Sequence, residues 1–432
     1  MPADRLIISC DYGSQSVYAL KEAARDLCDI VWLVDLSEPE MAQMARLMTR
    51  MGTVMDVAEL SDRQAVEALR QGAQPTGILC LNDRAMIPLA DIAGELGLEF
   101  HSPVVAGNLS DKLLQRRTLR AAGIPTPEFQ PVPTEVNQPD IDRLASKVGF
   151  PAVLKPRQGC GSRNTFMVQD QAELTRLVTM PGSGQQEKAG MILEGYLPRA
   201  ERTVSRFDPI VSVESFISAG EVHHFAITGR LPFADPFRET GLVLPSDLSP
   251  DDAYAVGETV AAAIIALDVV HGCLHTEVKF TTDGPRIIEV NGRVGGGIPQ
   301  LVRLAGADVS ILGVAMKLAL GAPLSIELPF QYSRIGWQRT VPPPVSARRI
   351  NTIAGLDRLM SIPGIDQITV NRNAGEAVDW RHGLSDYVYQ VYGSGGDYEE
   401  VERQQAMMDE AVTVSYEDDR VGRVRTSLAE IP

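Results

Sequence analysis

Two neighbouring strand-like stretches, CLHTEVKF at 273–280 and RIIEVN at 286–291, carry an unusual density of polar side chains. A turn containing Asp-Gly joins them, and Asp-Gly between apolar runs is a strong hairpin signal. Because side chains alternate along a strand, Glu289 and Asn291 share one face, and an antiparallel partner brings Glu277 beside them. Two carboxylates and an amide oxygen are hard donors of the kind that Mg²⁺ takes.

Carboxylates this close would repel each other without a cation between them, which favours a metal and phosphate platform. Arg293 follows directly and would point at a transferred group or its oxyanion. On the opposite face, Ile288 and Val290 are expected in a core. The alternative is a half-exposed strand with a solvated polar face. His275 is more typical of a satisfied polar residue than of a metal ligand.

The stretch AVLKPRQGCGSRNTFMV, 152–168, combines a strand-end lysine, Lys155, with a loop that carries Gly159, Gly161 and Ser162. Glycines let backbone N–H groups approach phosphate oxygens, and a lysine adds a point charge. The loop joins strand to strand, which excludes the Rossmann turn and the Walker loop, since both lead into a helix. It predicts a flexible hairpin that covers a nucleotide. An ordinary glycine-bearing hairpin is the alternative.

The stretch MILEGYLPRAE, 191–201, is an apolar strand that ends in a bend. A hinge between two lobes can bind adenine with its backbone groups, in which case Glu194 would take the exocyclic amine. A later acid would take the ribose hydroxyls. An exposed strand end has the same pattern, so this signal is weak alone.

The whole chain has the composition of a globular protein: 432 residues, 44% hydrophobic and 22% charged. At about 100–200 residues per domain it would form two to four domains. A net charge of −16 argues against nucleic acid or an anionic membrane as a general partner. The five scattered cysteines form no CxxC pair and suggest neither a disulfide framework nor a zinc site. Without a signal-peptide pattern or a long apolar run, we expect a cytoplasmic protein.

Strands alternate with helical patterns up to about residue 83, which predicts a doubly wound parallel sheet. A helix then begins near SDKLLQRR, with Ser110 as the expected N-cap. Two further helices are expected at 251–267 and about 298–320. The expected regions are an N-terminal α/β domain at 1–108, a small lobe with the glycine loop at 109–200, a large lobe with the metal site at 201–322, and a C-terminal β-rich subdomain at 323–432.

With these residues in this order, the sequence resembles the ATP-grasp superfamily, most closely its carboxylate–amine ligases, which include the L-amino acid ligases of dipeptide synthesis. The resemblance covers about 1–322, and the tail is similar to the extra β-rich piece of some such ligases. It implies an α/β and α+β fold, with an N-terminal domain built on a doubly wound parallel sheet and two lobes that hold ATP between them. Asn164 stands where relatives often carry glycine, and Gly195 replaces a frequent second hinge acid.

The resemblance implies ATP and two Mg²⁺ ions, with Mn²⁺ able to substitute, and it assigns a role to each matching residue. Arg293 would be catalytic and His275 would face the substrate. Independently of the resemblance, the stretch LPFADPFRETGLVLP at 231–245 precedes the hairpin and is expected to line the acyl or amine pocket, where Arg238 would hold a substrate carboxylate, although a structural salt bridge suits Arg238 equally. The remaining expected roles are phosphate contacts for Lys112 and Lys155, phosphate cover for Gly159, Gly161 and Ser162, adenine contacts for Glu194 and Leu197, a ribose contact for Glu201 or Glu214, and metal binding for Glu277, Glu289 and Asn291.

The expected function is an ATP-dependent carboxylate–amine ligase that forms an amide or peptide bond through an acylphosphate and releases ADP and phosphate. Its partners would be small-molecule carboxylates and amines, with amino acids as the expected substrates, and a homodimer is one expected assembly. Two alternatives stay open. One is an ATP-grasp carboxylase, although no carrier module is visible, and the other is a catalytically silent nucleotide-binding protein.

Overall fold

The structure is a computed structural model that describes residues 4–9, 15–37, 39–179, 190–200, 205–418 and 422–426. Among these residues no helix is both long enough and apolar enough to cross a membrane. The described chain folds into four β-sheets and the helices that cover them.

The N-terminal sheet is parallel, as the alternating pattern predicts, with the strand order β3-β2-β1-β4. Its strands read as continuous apolar runs because helices cover both faces. Ser61 begins one of these helices with a capping box that Gln64 completes. The elements are β1 Arg5–Ser9, α1 Val17–Ala24, β2 Asp29–Val34, α2 Pro39–Met48, β3 Thr53–Asp56, α3 Asp62–Ala68, β4 Gly77–Cys80, α4 Met86–Leu96 and α5 Pro103–Ser110.

The small lobe is a four-stranded antiparallel sheet with the order β5-β8-β6-β7. Its core packs under two helices and includes Leu144, Leu154 and Leu174. The elements are α6 Lys112–Ala121, β5 Phe129–Val132, α7 Gln138–Val148, β6 Ala152–Pro156, β7 Phe166–Val168, α8 Gln171–Thr179 and β8 Met191–Gly195.

The expected N-cap of α6 is wrong by one residue. Ser110 is the last residue of α5, and its hydroxyl donates to the carbonyl of Ala106 at 2.7 Å. Asp111 caps α6 instead, because its carboxylate accepts from the backbone N–H of Leu113 at 2.9 Å. Asp111 also pairs with Arg157 at the end of β6, so the start of α6 is fixed to the small-lobe sheet.

The large sheet has eight strands in the order β13-β12-β9-β10-β11-β14-β17-β16, and it includes strands from the predicted C-terminal region. A three-stranded sheet, β15-β18-β19, lies beside it. The elements are β9 Ile210–Ser218, β10 Glu221–Arg230, β11 Gly241–Leu244, α9 Pro250–Ala266, β12 Gly272–Thr281, β13 Gly284–Asn291, α10 Ile298–Leu304, α11 Ile311–Ala319, β14 Ile335–Thr340, β15 Ala347–Ala354, α12 Leu356–Leu359, β16 Ile365–Val370, β17 Tyr389–Gly395, α13 Tyr398–Ala411, β18 Thr413–Asp418 and β19 Gly422–Thr426.

Two local expectations for this lobe are wrong. The helix expected at about 298–320 is two helices, α10 and α11, with Gly306 in the break at φ +86°. On β13 the buried pair is Ile287 and Val290, not Ile288 and Val290. A β-bulge causes this, since Glu277 pairs with Glu289 while the next residue, Val278, pairs with Ile287. Ile288 is the extra residue, so the alternation changes phase there.

Candidate active site

The β12–β13 hairpin brings the three predicted metal ligands together. Glu277 lies directly opposite Glu289, and His275 lies opposite Asn291. The amide nitrogen of Asn291 donates to Oε1 of Glu289 at 3.0 Å, which orients both side chains. The bulge leaves Glu289 and Asn291 two residues apart on one face, so the platform expected from the sequence is present as a geometric arrangement.

Protein cations already compensate both carboxylates. Lys112 Nζ lies 3.0 Å from Glu289, and Arg230 Nη2 donates to Glu277 at 2.7 Å. Burial alone would raise the pKa of Glu277, but Arg230 and His275 outweigh it and hold that pKa well below its usual range. The repulsion that the sequence assigned to a metal ion is therefore already relieved by side chains of the chain itself.

Lys112 connects three parts of the molecule. Its ammonium donates to the carbonyl of Gly159 in the glycine loop at 2.8 Å and pairs with Glu289 on β13, while its backbone begins α6. Burial lowers the pKa of Lys112, but Glu289 outweighs it and the pKa is raised. A small cavity lies at this junction, lined by Asp83, Leu109, Ser110, Lys112, Gln115, Gly159, Glu289, Val290 and Asn291.

Glu194 lies at the centre of a buried ion-pair network. Its carboxylate accepts from Arg116 at 2.9 and 3.2 Å and pairs with Lys155 Nζ at 2.9 Å. Burial would raise the pKa of Glu194, but the two cations lower it to about 2. Burial lowers the pKa of Lys155, in opposition to Glu194. The structure thus places the Glu194 side chain on Arg116 and Lys155, and Leu197 lies half-buried just beyond β8.

Side chains of α6 also form hydrogen bonds with the backbone groups along the outer edge of β13. Gln115 donates to the carbonyl of Val290 at 2.8 Å and accepts from its N–H at 2.9 Å. Arg116 donates to the carbonyl of Ile288, the bulged residue, at 2.5 Å. Sequence reasoning missed Gln115 and Arg116. Their signal was four consecutive polar residues in LLQRRTL, more than a helix with one solvated face requires.

The glycine loop joins β6 to β7, which pair antiparallel, so it links strand to strand as the sequence predicted. Gly159 and Gly161 have φ of +122° and +65°, which favours glycine at both positions. Ser162 and Asn164 also lie in the left-handed region, at φ +56° and +48°. Asparagine tolerates this conformation better than most residues, so it fits the position of Asn164.

His275 is held in a buried charge network. Its Nδ1 lies 2.7 Å from Glu214, and its Nε2 lies 3.5 Å from Glu277 and 3.4 Å from Arg230. Burial would lower the pKa of His275, but Glu214 and Glu277 raise it to about 9. The imidazole is therefore a positively charged part of the core beneath the platform, which fits a satisfied polar residue better than a free substrate contact.

The structure does not place Glu214 for a ribose contact. Its side chain is 1% exposed and lies under the hairpin beside His275, opposite that residue on β9. The hinge end of this sheet is near Lys279, whose ammonium donates to the Tyr196 hydroxyl at 2.9 Å. Lys279 pairs with Ile210, so Glu214 lies about 13 Å further along β9. The other expected ribose acid, Glu201, lies outside the described residues.

The substrate role expected for Arg238 is not supported by its surroundings. The side chain is 2% exposed and donates to the carbonyls of Asp235 at 2.5 Å and Pro343 at 2.6 Å. It stabilises the loop between β10 and β11. The arginine that reaches the platform is Arg230, which pairs with Glu239 at 2.8 Å and with Glu277. Sequence reasoning missed Arg230, which ends the strand EVHHFAITGR outside any recognised motif.

Arg293 receives its main partner from the N-terminal sheet. Its Nε donates to Asp83 Oδ2 at 2.8 Å, and burial, which lowers its pKa, is outweighed by Asp83. The second oxygen of Asp83 is buried without a hydrogen-bond partner among the described residues. Asp83 was also missed, although it follows β4 at the carboxyl edge of a parallel sheet, where functional residues commonly lie.

Comparison with known proteins identifies the architecture. A family model described as an ATP-grasp domain matches residues 148–300, which include the glycine loop, Glu194 and the platform. Residues 148–300 thus match the ATP-grasp domain family, and the described chain has the ATP-grasp fold. The resemblance inferred from the residues is confirmed, and so is the ATP-grasp fold.

Two curated relatives match part of the chain. The uncharacterized protein y4rH of Sinorhizobium fredii is 29% identical over 281 residues, which cover 62% of this chain and 53% of that protein. Human carnosine synthase 1 is 26% identical, with 61% of this chain and 33% of that protein covered. The chain thus spans about half or less of the length of these relatives.

Two solved structures share the fold over nearly the whole chain. An L-amino acid ligase from Bacillus licheniformis superposes with a TM-score of 0.76 at 21% identity, covering 96% of this chain and 99% of that one. A biotin carboxylase domain dimer of the Hydrogenobacter thermophilus 2-oxoglutarate carboxylase, in complex with MgADP, ADP and bicarbonate, has a TM-score of 0.67 at 16% identity, covering 99% and 92%.

ATP-grasp proteins use ATP and Mg²⁺, and the platform is chemically suited to that ion. Two carboxylates and one amide oxygen on adjacent strands match the oxygen preference of Mg²⁺. Among the described residues no three His, Cys, Asp or Glu side chains are grouped to hold a metal by themselves. The fit thus depends on Asn291 and on phosphate oxygens, which is how Mg²⁺ is usually held at nucleotide sites.

A stability experiment tests the buried network. Changing Glu194→Gln leaves Arg116 and Lys155 buried without their counter-charge. We expect the free energy of unfolding to fall by about 3–5 kcal/mol, measured by urea denaturation without nucleotide. The control is Glu128→Gln, which removes an exposed ion pair with Arg120 and should cost about 0–1 kcal/mol. Equal small losses in both variants would show that Glu194 does not stabilise the buried network.

A double-mutant cycle tests whether Asp83 acts through Arg293. Asp83→Asn keeps the side-chain shape but removes the charge that orients the guanidinium, so we expect turnover to fall by about 10–100-fold. In an Arg293→Ala background the same change should have little further effect, because its target is already gone. A full additional loss in that background would show that Asp83 contacts the reactants independently.

Proposed function

We propose that this chain is an ATP-dependent carboxylate–amine ligase that joins amino-acid substrates through an acylphosphate and releases ADP and phosphate. The observation that carries the proposal is the double contact of Lys112 with Gly159 and Glu289. It brings the phosphate-covering loop within one side chain's reach of the metal platform. The names of two relatives, an L-amino acid ligase and carnosine synthase 1, support the substrate class.

In this proposal the small lobe binds the nucleotide. Lys155 and Lys112 contact the phosphates, and the loop that contains Gly159, Gly161 and Ser162 covers them. The hinge around Glu194 and Leu197 holds the adenine, with Glu194 acting through Lys155, since its carboxylate is already paired there. Glu201 is the remaining acid for the ribose.

Glu277, Glu289 and Asn291 would hold Mg²⁺, with two ions expected and Mn²⁺ as a substitute. When bound, the metal supplies positive charge to the terminal phosphates of ATP. Because Arg230 keeps Glu277 ionised, the platform holds its oxygen donors ready before any ligand arrives. Glu289 would exchange its contact with Lys112 for one with the metal, which frees the ammonium for a phosphate.

The reaction would proceed in two displacements. A substrate carboxylate oxygen attacks the γ-phosphorus, the bond to the bridging oxygen breaks, and ADP leaves with that electron pair. The amine nitrogen then attacks the acylphosphate carbonyl, loses its proton, and expels phosphate as the amide forms. Arg293, oriented by Asp83, stabilises the negative charge on the acylphosphate and on the tetrahedral oxyanion. Exclusion of water by the covered site protects the acylphosphate from hydrolysis.

The cytoplasmic location and the homodimer expected from the sequence remain predictions, as do the four region boundaries. The carboxylase alternative uses the same nucleotide and metal residues and differs only in the acid, which would be bicarbonate. The product experiment therefore also tests bicarbonate as the acid.

The product experiment tests the reaction directly. With ATP, Mg²⁺, an amino acid and an amine, we expect ADP and phosphate to form, one of each per amide bond, with no AMP or pyrophosphate. Hydroxylamine in place of the amine should give a hydroxamate, because an acylphosphate reacts with strong nucleophiles. Arg293→Ala should lower the rate by about 10²–10³-fold, the scale of losing one oxyanion donor. AMP as the product, or bicarbonate as the only active acid, would overturn the ligase proposal.

A metal-dependence experiment tests the platform. Glu289→Gln removes the charge but keeps the size of a side chain that is only 13% exposed and is paired with Lys112. We expect turnover to fall by about 100-fold and the Mg²⁺ concentration for half-maximal rate to rise, because a metal partner is lost. ATP affinity measured in EDTA should change little. Near-normal turnover at limiting Mg²⁺ would contradict the platform.

A further inference from the structure

The glycine loop is held from outside by a short helical segment, Trp380–Asp386, which we call the docking segment. The backbone N–H of Asn164 donates to the carbonyl of Arg381 at 2.9 Å, and that of Leu384 donates to the carbonyl of Gly161 at 3.3 Å. Beside these hydrogen bonds the Trp380 ring meets Phe166 of β7 edge-on, with centroids 5.6 Å apart. The C-terminal region thus contacts both the loop and the strand that follows it.

Two glycines allow the close approach. A Cβ at Gly383 would lie 2.0 Å from the carbonyl oxygen of Gly161, and a Cβ at Gly161 would lie 3.0 Å from the Leu384 side chain. Both glycines also have positive φ, +61° for Gly383 and +65° for Gly161. Larger residues at either position would push the loop and the segment apart.

The docking segment has its own internal anchor. The buried carboxylate of Asp386 accepts from Arg372 at 2.8 Å and from the backbone N–H of Asp379 at 2.7 Å, and His382 Nδ1 lies 2.9 Å from it. The chain then enters β17, a strand of the large sheet. The segment is therefore anchored to the C-terminal region by contacts that do not involve the loop.

We propose that the docking segment positions the glycine loop over the nucleotide phosphates, with Gly383 and Leu384 as positioning residues. This rests on the proposed function, in which that loop covers the terminal phosphates of ATP. A loop left free would lose conformational entropy on binding, whereas a docked loop has lost it beforehand, which favours affinity. The loop also contacts Lys112 of α6, so it is supported both by its own lobe and by the C-terminal region.

The first test is Leu384→Ala. The side chain is 44% exposed, so its truncation should leave the core intact while it removes the contact with Gly161. We expect affinity for ATP with Mg²⁺ to fall about tenfold and affinity for AMP to stay unchanged, since AMP lacks the phosphates that the loop covers. Amide hydrogen exchange in 157–165 should be faster even without nucleotide.

The control is Met407→Ala, which truncates a side chain of similar size and 46% exposure on α13. It should change neither nucleotide affinity nor exchange in the loop. A second variant, Gly383→Val, forces the segment against the Gly161 carbonyl, and it should weaken ATP further while AMP binding persists.

Unchanged loop exchange and ATP affinity in both variants would overturn the positioning role. Equal losses for ATP and AMP would also overturn it, because they would indicate a general loss of structure. Failure of the ligase reaction is a separate result. If the wild type makes no amide but the ATP–AMP difference appears, the reaction proposed above is wrong and the positioning role stands.

Discussion

The site depends on one buried charge, the guanidinium of Arg116. Its side chain is 1% exposed, and a charge removed from water is tolerated only when it is fully paired. Arg116 meets this requirement with Glu194 on β8 and with the carbonyl of Ile288 on β13, so its pairing ties the hinge strand to the platform strand. Lys112 lies four residues earlier on α6, on the same face of the helix. The pairing that buries Arg116 thus also directs Lys112 between the glycine loop and Glu289.

The edge position of β13 explains why the platform can have this form. An edge strand exposes unpaired backbone groups, and bulges are especially common at sheet edges. Here Gln115 hydrogen-bonds to the backbone N–H and carbonyl of Val290, and Arg116 donates to the carbonyl of Ile288. These side chains pair the backbone groups that a further strand would otherwise pair. The bulge at Ile288 fixes which side chains face the core and keeps Glu289 opposite Glu277. A regular edge strand would have changed that pairing.

Features that depend only on residues close together in the chain could be predicted from the sequence. The parallel N-terminal sheet, the strand-to-strand glycine loop and the β12–β13 hairpin follow from periodicity and turn residues, and the structure has all three. The sequence could not indicate the bulge, because strict alternation is the default for any strand. Ile288 was therefore placed on the wrong face.

Partners that meet only in the folded chain were beyond sequence reasoning. Asp83 and Arg293 are 210 positions apart, and no local pattern relates them. Arg230 and Arg238 lie only eight residues apart in the sequence, yet one pairs with carboxylates at the platform and the other with backbone carbonyls. The order of the strands in the sheet determines which carboxylates lie near each guanidinium. That order cannot be read from the neighbouring residues in the sequence.

The charge distribution explains how an acidic chain can bind a polyanion such as ATP. Charges separated by more than about 8 Å are largely screened at physiological ionic strength, whereas buried pairs are screened much less. The net charge of −16 therefore disfavours the binding of nucleic acids, because their phosphate backbones need an extended basic face. A single nucleotide needs only the few cations that converge in the cleft, Lys112, Lys155 and Arg293. Each is held there by a carboxylate, Glu289, Glu194 and Asp83 respectively, so these three acids neutralise and position the cations that would accept one nucleotide.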